Sequence, residues 1–259
     1  MVDLQSHVLP GLDDGAADEA TAIEMCRSAL QAGTRELVAT PTCDPKFGFN
    51  RDDVDAKAKA LQEKVGDGLQ IHTGAVLTLS HETFADVVAD LSRYSINSRR
   101  YLLLRPTSSA VSRGVAKLFG VIREVGYRGI LSLPETSVTM RGDLRRLRRW
   151  VKGGALIAVS AGSLFGHNGA RAEECALALL DANLAHFVVS DARSEGQREP
   201  SLDDAYKFAI YRWGPDRARQ LFIDHPWAAL WGERIETPRP GRLPHSFSLG
   251  RALGWGGRR

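Results

Sequence analysis

The chain has 259 residues, 43% of them hydrophobic, and a formal net charge of +3; that length buries one large core, and that charge is too small to argue for nucleic acid. Three cysteines, Cys26, Cys43 and Cys175, without a CxxC spacing, exclude a disulfide framework and point to a reducing compartment. No apolar run reaches the ~18 residues of a membrane span and no basic-then-apolar leader precedes the first strand, so a cytoplasmic protein without a membrane span is expected.

Short apolar runs alternate with helical patterns. The first strand is read at residues 2–7 and ends on His7; a Pro-Gly turn and the doublet Asp13-Asp14 follow. Residues 19–32 set Ala22, Ile23, Cys26, Ala29 and Leu30 on one stripe, and Gly33 stops it. Further strands are read at 36–40, 69–74, 101–104, 129–133, 156–159 and 187–190. Helices are read at 52–65, 81–91, 111–125, 144–151, 172–182 and 202–211. Strand starts recur about every 30 residues, the size of one βα unit. Seven strands without hairpins imply a parallel sheet, most naturally closed as a TIM-like (β/α)7 barrel. An open doubly wound sheet is the alternative, without GxGxxG after its first strand and so not of the dinucleotide-binding type. Residues 1–235 make the barrel domain. Residues 236–259 form a basic tail rich in Pro, Gly and Arg that is expected to be disordered.

In either architecture the functional residues sit beyond the C-terminal ends of the strands. Those ends offer Gln5, His7 and Asp14; Thr42, Cys43 and Asp44; Val76; Arg105; Leu133, Glu135 and Thr136; and Asp191 and Arg193. An imidazole and a carboxylate just past a strand suit a divalent metal. Gln5 shares the face of His7, but an amide is a poor ligand where a second histidine would complete a pair. His72, His186 and His225 read as structural, and His167 lies in the loop after the sixth strand. Arg141, Arg145, Arg146, Arg148 and Arg149 flank apolar residues at helical spacing, as on an outer helix with a solvated basic face; a surface for an acidic partner is the alternative.

DLQSHVLPGLDDG, ATP after the second strand, SAGSLFG, NLAHFVVSDA and HPWAALWGE follow one another in that order. With these motifs the chain resembles the bacterial protein-tyrosine phosphatases of the PHP (polymerase and histidinol phosphatase) superfamily, which accompany tyrosine kinases in capsule and exopolysaccharide synthesis. The resemblance runs from residue 1 to about Glu233. It implies a distorted seven-stranded PHP barrel, a cluster of divalent metal ions (manganese, iron or zinc) and phosphomonoester hydrolysis driven by metal-generated hydroxide. It also implies a tyrosine kinase or its phosphorylated tail as partner; a homo-oligomer stays open.

Carried over residue by residue, the resemblance retains His7, Asp14 and Asp191 as metal ligands. Gln5, Thr42, Val76, Arg105, Leu133 and Arg193 stand where the family has its other ligands, and Thr136 stands where it has an arginine. Val76 and Leu133 coordinate nothing. Arg105 and Arg193 place permanent cations where a metal belongs, and two like charges ~4 Å apart repel by roughly 4 kcal/mol at an effective dielectric near 20. Impaired catalysis is the expectation. Three uses of the remnant stay open: Asp14 and Asp191 pair structurally with the two arginines; Arg105 and Arg193 hold a phosphate or phosphotyrosine bidentately; or His7, Asp14, Asp191 and Cys43 hold a single zinc. Asp14, Cys43 and Asp191 are the candidate catalytic groups, although Cys43 lacks the Cys-x5-Arg loop of cysteine-dependent phosphatases.

Overall fold

The computed structural model describes residues 1–79, 89–107, 114–193 and 202–243. Its strands are β1 (Val2–Ser6), β2 (Glu36–Ala39), β3 (Thr42–Cys43), β4 (Gln70–Thr73), β5 (Val76–Leu79), β6 (Tyr101–Pro106), β7 (Arg128–Ser132), β8 (Leu156–Ser160) and β9 (Phe187–Val189). All ladders between them are parallel. They form two sheets, β1-β2-β4 and β3-β5-β6-β7-β8-β9. The α/β class with parallel sheets is therefore as expected, but the ladders do not close into one ring.

The division has a local cause. The second and third expected strands, 36–40 and 69–74, correspond to β2 and β4 to within a residue at each end, and each is followed after a two-residue break by a strand that was not expected, β3 after Thr40-Pro41 and β5 after Gly74-Ala75. Pro41 has no N–H to donate to a ladder. Single hydrogen bonds carry the chain across both breaks: Gly74 N–H to Ala39 O at 3.0 Å and Val76 N–H to Pro41 O at 3.1 Å. Beyond β9, an isolated parallel bridge joins Ser6 to Ala192. His7 N–H donates to Ala192 O at 2.7 Å and Asp191 N–H to Gln5 O at 3.0 Å. These two bonds bring the ends of β1 and β9 side by side.

Alternate residues of the strands are buried in different clusters. Leu102 and Leu104 of β6 pack in one, with Phe119 and Ile122 of the helix Gly114–Glu124. Tyr101 and Leu103 pack in another, with Leu4, Val38, Ile130 and Phe187 from both sheets. Burial on both faces explains the uninterrupted apolar run of β6. The helix His225–Trp231 sets Ala229 and Leu230 into the second cluster, against Leu4 of β1.

The helices Glu19–Gln31 and Arg51–Val65 begin on side-chain caps, Asp18 accepting from Thr21 N–H and Asn50 from Asp52 N–H. The helix expected at 81–91 lies almost wholly outside the described residues. After the last helix, Ile235 is buried and Gly241 N–H donates to Ala182 O at 2.8 Å; Arg251, Arg258 and Arg259 of the tail lie outside the described residues. No described helix is long and apolar enough to cross a membrane.

Candidate functional site

Polar side chains collect where β1, β6, β7 and β9 end. Asp3, Gln5 and His7 alternate along β1 and its extension, so they share a side. Asp3 accepts the Ser190 hydroxyl at 2.5 Å and the Ser190 N–H at 3.1 Å. Ser132, closing β7, donates its hydroxyl to Gln5 Oε1 at 2.7 Å, and Gln5 Nε2 donates to Asp191 Oδ1 at 2.6 Å. Gln5 thus spans the gap between β7 and the end of β9, with both ends of its amide engaged.

Asp191 is the hub. It is 1% exposed, and its Oδ1 also accepts from Arg105 Nη2 at 3.0 Å and faces His7 Nε2 at 3.3 Å and Arg193 Nη2 at 3.7 Å. Burial alone raises its pKa, but the His7 hydrogen bond and the charges of Arg105, His7 and Arg193 outweigh burial and hold it well below the usual carboxylate range. His7 shows the same contest with the opposite sign. Burial lowers its pKa, whereas the bonds to Asp13 and Asp191 raise it further, so the net shift is upward.

Asp13 takes the other side of the imidazole, His7 Nδ1 to Asp13 Oδ2 at 2.5 Å. The same oxygen accepts Thr42 N–H at 2.7 Å, and Oδ1 accepts Gly15 N–H at 2.9 Å. This loop closes tightly: a Cβ on Gly15 would sit 2.0 Å from the His7 carbonyl oxygen, so only glycine fits there. Asp14 instead turns outward and pairs with Arg193 Nη1. Among the described residues, the group of three potential ligands with donor atoms mutually within 4.8 Å is His7, Asp13 and Asp14. Asp191 is tied to that group through His7; Cys43 is not in it. Nothing in the sequence separates Asp13 from Asp14. The doublet itself is the signal, and the turn decides which carboxylate points inward.

The side chains present do not fit a bridged cluster of divalent ions. Both ring nitrogens of His7 already face carboxylates, Nδ1 that of Asp13 and Nε2 that of Asp191. Both oxygens of Asp13 already accept hydrogen bonds, Asp14 is paired with a guanidinium, and Asp191 faces two guanidiniums and the His7 ring. Val76 and Leu133 are buried apolar residues in the same cluster as Leu103. Arg105 lies within β6, not beyond it, so the strand backbone fixes the base of its side chain. Cys43 packs against the apolar cluster around Leu102, and burial, with Asp44 adding to it, pushes its thiol up to about 11. A thiol neutral at pH 7 is neither an activated nucleophile nor a ready metal ligand.

Glu135, between Leu133 and Thr136, is fully buried. Its Oε1 accepts Ser160 N–H at 2.8 Å and the Ser163 hydroxyl at 2.9 Å, while Oε2 has no hydrogen-bond partner. Burial pushes its pKa up to about 7, and the charge of Asp191 adds to the shift. A Pro-Glu pair just past a strand was the available sequence signal. Leu133 and Asp191 both adopt left-handed backbone, with φ of 48° and 51°; for a bulky residue such as Leu133 that conformation is strained.

A family model for capsular polysaccharide synthesis proteins, CpsB/CapC, matches residues 1–230. The tyrosine-protein phosphatase YwqE of Bacillus subtilis is 32% identical over 212 residues, 79% of this chain and 82% of its own. The tyrosine-protein phosphatase CpsB of Streptococcus pneumoniae is 24% identical over 251 residues, covering 91% of this chain and all of its own. The structure also matches a chain from the crystal structures of those two proteins, described as unique metal-dependent tyrosine phosphatases. The TM-score is 0.86 at 28% identity, over 95% of this chain and 100% of that one.

Proposed function

Because this chain belongs to the CpsB/CapC family of capsular polysaccharide synthesis, we propose that it is an impaired relative of the family's tyrosine phosphatases, one that still takes phosphotyrosine into its mouth and hydrolyses it slowly or not at all. The observation that carries this reading is the single oxygen of Asp191 shared by Gln5, Arg105 and His7, with Arg193 next to it. Positive charge that divalent ions supply in a metal-dependent phosphatase is here supplied by side chains. The fold fits the family's distorted (β/α)7 barrel if β2 with β3, and β4 with β5, each count as one interrupted strand and the Ser6–Ala192 bridge stands at the closure. Left-handed backbone at Leu133 and Asp191, two positions that correspond to family ligands, supports descent from a working site.

Phosphate recognition is favoured over a purely structural pairing by Arg105. Its side chain is 26% exposed, and its Nε is buried without a hydrogen-bond partner. A phosphoryl group entering the mouth gives that N–H an acceptor and is gripped by two edges of one planar guanidinium. The partner is then a tyrosine kinase or another protein carrying phosphotyrosine.

The reading is checked with a labelled phosphotyrosine peptide. Binding is expected at low salt, to persist in excess chelator, and to weaken roughly tenfold or more in Arg105→Ala, since charge-assisted hydrogen bonds contribute about 1.5–3 kcal/mol. Turnover of p-nitrophenyl phosphate with manganese or zinc is expected to stay at background. No peptide binding at low salt would remove the recognition reading, and turnover far above background would remove the impairment.

A further inference from the structure

The helix Leu144–Lys152 carries Arg145, Arg146, Arg148, Arg149 and Lys152 and no carboxylate. Leu144 and Leu147 are buried in the largest apolar cluster, and Trp150 and Val151 pack against it. The capping residue Asp143 neutralises Arg146, at 3.3 Å. Arg145, Arg149 and Lys152 are exposed. Among the described residues, neither these three nor Arg148 forms an ion pair, and the Nε of Arg148 is buried without a partner.

Part of this arrangement works against the helix. Arg145 lies in the first turn, where the positive end of the helix dipole disfavours a cation. Arg145 with Arg149, and Arg148 with Lys152, are like charges one turn apart and repel. Arg149 and Lys152, in the last turn, suit the negative end of the dipole, but Arg145 and Arg148 gain nothing from it, and the stripe as a whole lacks a counter-charge among the described residues. The helix follows β7 and leads into β8, so as the crossover of a parallel pair it runs back from the strand ends that carry the site. Arg145 is at the end nearer the mouth and Lys152 at the far end.

We propose that this stripe is a docking surface for an acidic segment of the polypeptide whose phosphotyrosine enters the mouth, a proposal that rests on the phosphotyrosine reading above. Cations one helical turn apart are about 6 Å from one another, close to the ~6.6 Å between alternate carboxylates on one side of an extended chain. A bilayer is a poor fit, because the apolar side of this helix is committed to the core and nothing is left to insert. A single-stranded nucleic acid is a poor fit as well: Trp150, the helix's aromatic residue, packs against Phe119 at 6.4 Å between ring centroids and is not free to stack on a base.

The test compares three labelled peptides on the whole protein: a neutral phosphotyrosine peptide, the same peptide extended by alternating glutamates, and the glutamate peptide without phosphate. Each is titrated into wild type, into Arg145→Glu/Arg149→Glu/Lys152→Glu and into the milder Arg145→Gln/Arg149→Gln/Lys152→Gln. All three positions are solvent-exposed, and circular dichroism checks that each variant keeps the fold, the glutamine variant standing free of the dipole penalty that glutamates meet in the last turn. The extended phosphopeptide is expected to bind roughly tenfold more tightly than the neutral one. That advantage is expected to vanish in the charge reversal, to shrink in the glutamine variant and to fall with salt, while neutral phosphopeptide binding stays unchanged. The proposal is overturned if the glutamates add nothing, if their advantage survives charge reversal, or if a DNA oligonucleotide or phosphatidylserine vesicles bind the stripe more tightly than the peptide. If the glutamate peptide binds through the stripe while the neutral phosphopeptide does not bind at all, the stripe stands as an acidic docking surface and the phosphotyrosine reading is the one that fails.

Discussion

Replacing Asp191 by asparagine is expected to lower the stability of the fold by about 3 kcal/mol, because removing one member of a buried ion cluster strands the others. Asparagine keeps the shape and tolerates the left-handed backbone at this position, so the loss reports charge and not strain. Arg105 and Arg193 would remain packed together beside His7 with their common counter-ion gone. The sign with pH follows from the direction of the shifts. Asp191 and Asp13 are depressed below their ordinary value of 3.8, so what they contribute is present above pH 3.8 and is lost as pH falls through their folded-state values. Urea unfolding at pH 7 measures the difference. A change within about 0.5 kcal/mol, the range of ordinary surface substitutions, would mean that water and not Asp191 balances the two guanidiniums.

The second large effect is expected at Glu135, and it has the opposite dependence on pH. Its carboxyl is raised from 4.5 to about 7, so between those values the folded state holds a proton that the unfolded chain releases. Stability therefore falls as pH rises from about 4.5 to about 7. A shift of that size corresponds to about 3 kcal/mol once the buried group is fully ionised. Glu135→Gln keeps an acceptor for Ser160 N–H and the Ser163 hydroxyl and cannot ionise. The variant should match wild type near pH 5 and exceed it in stability at pH 8. Asp3, raised from 3.8 to about 6 by burial, adds a similar slope to both proteins, so the difference between the two curves isolates Glu135. Parallel curves would show that Glu135 titrates as it does in the unfolded chain.

The sequence carries the order of strands and helices well because most of the strands are short apolar runs flanked by amphipathic helices; β6 is legible as YLLL alone. It carries the ends of β2 and β4 before Pro41 and Ala75 but not the strands β3 and β5 beyond them, because two to four residues are too few for a strand pattern to show. Arg105 and Arg193 are legible as residues at the strand ends. Their partners are not, since Arg105 and Asp191 are 86 positions apart and only the return of β9 beside β1 brings them together. Asp13 is hidden by its neighbour Asp14. Glu135 is legible at a strand end but its burial is not, because exposure and not residue type separates a solvated acid from one held near neutrality.

The central claim is that Arg105 and Arg193 have taken the place of divalent ions around Asp191. Metal content answers it most directly: the protein is produced with manganese and zinc in the medium, purified without chelator, dialysed and measured by elemental analysis. Manganese, iron and zinc far below one ion per chain is the expected result. Near-stoichiometric metal that is released only by chelation would contradict the claim.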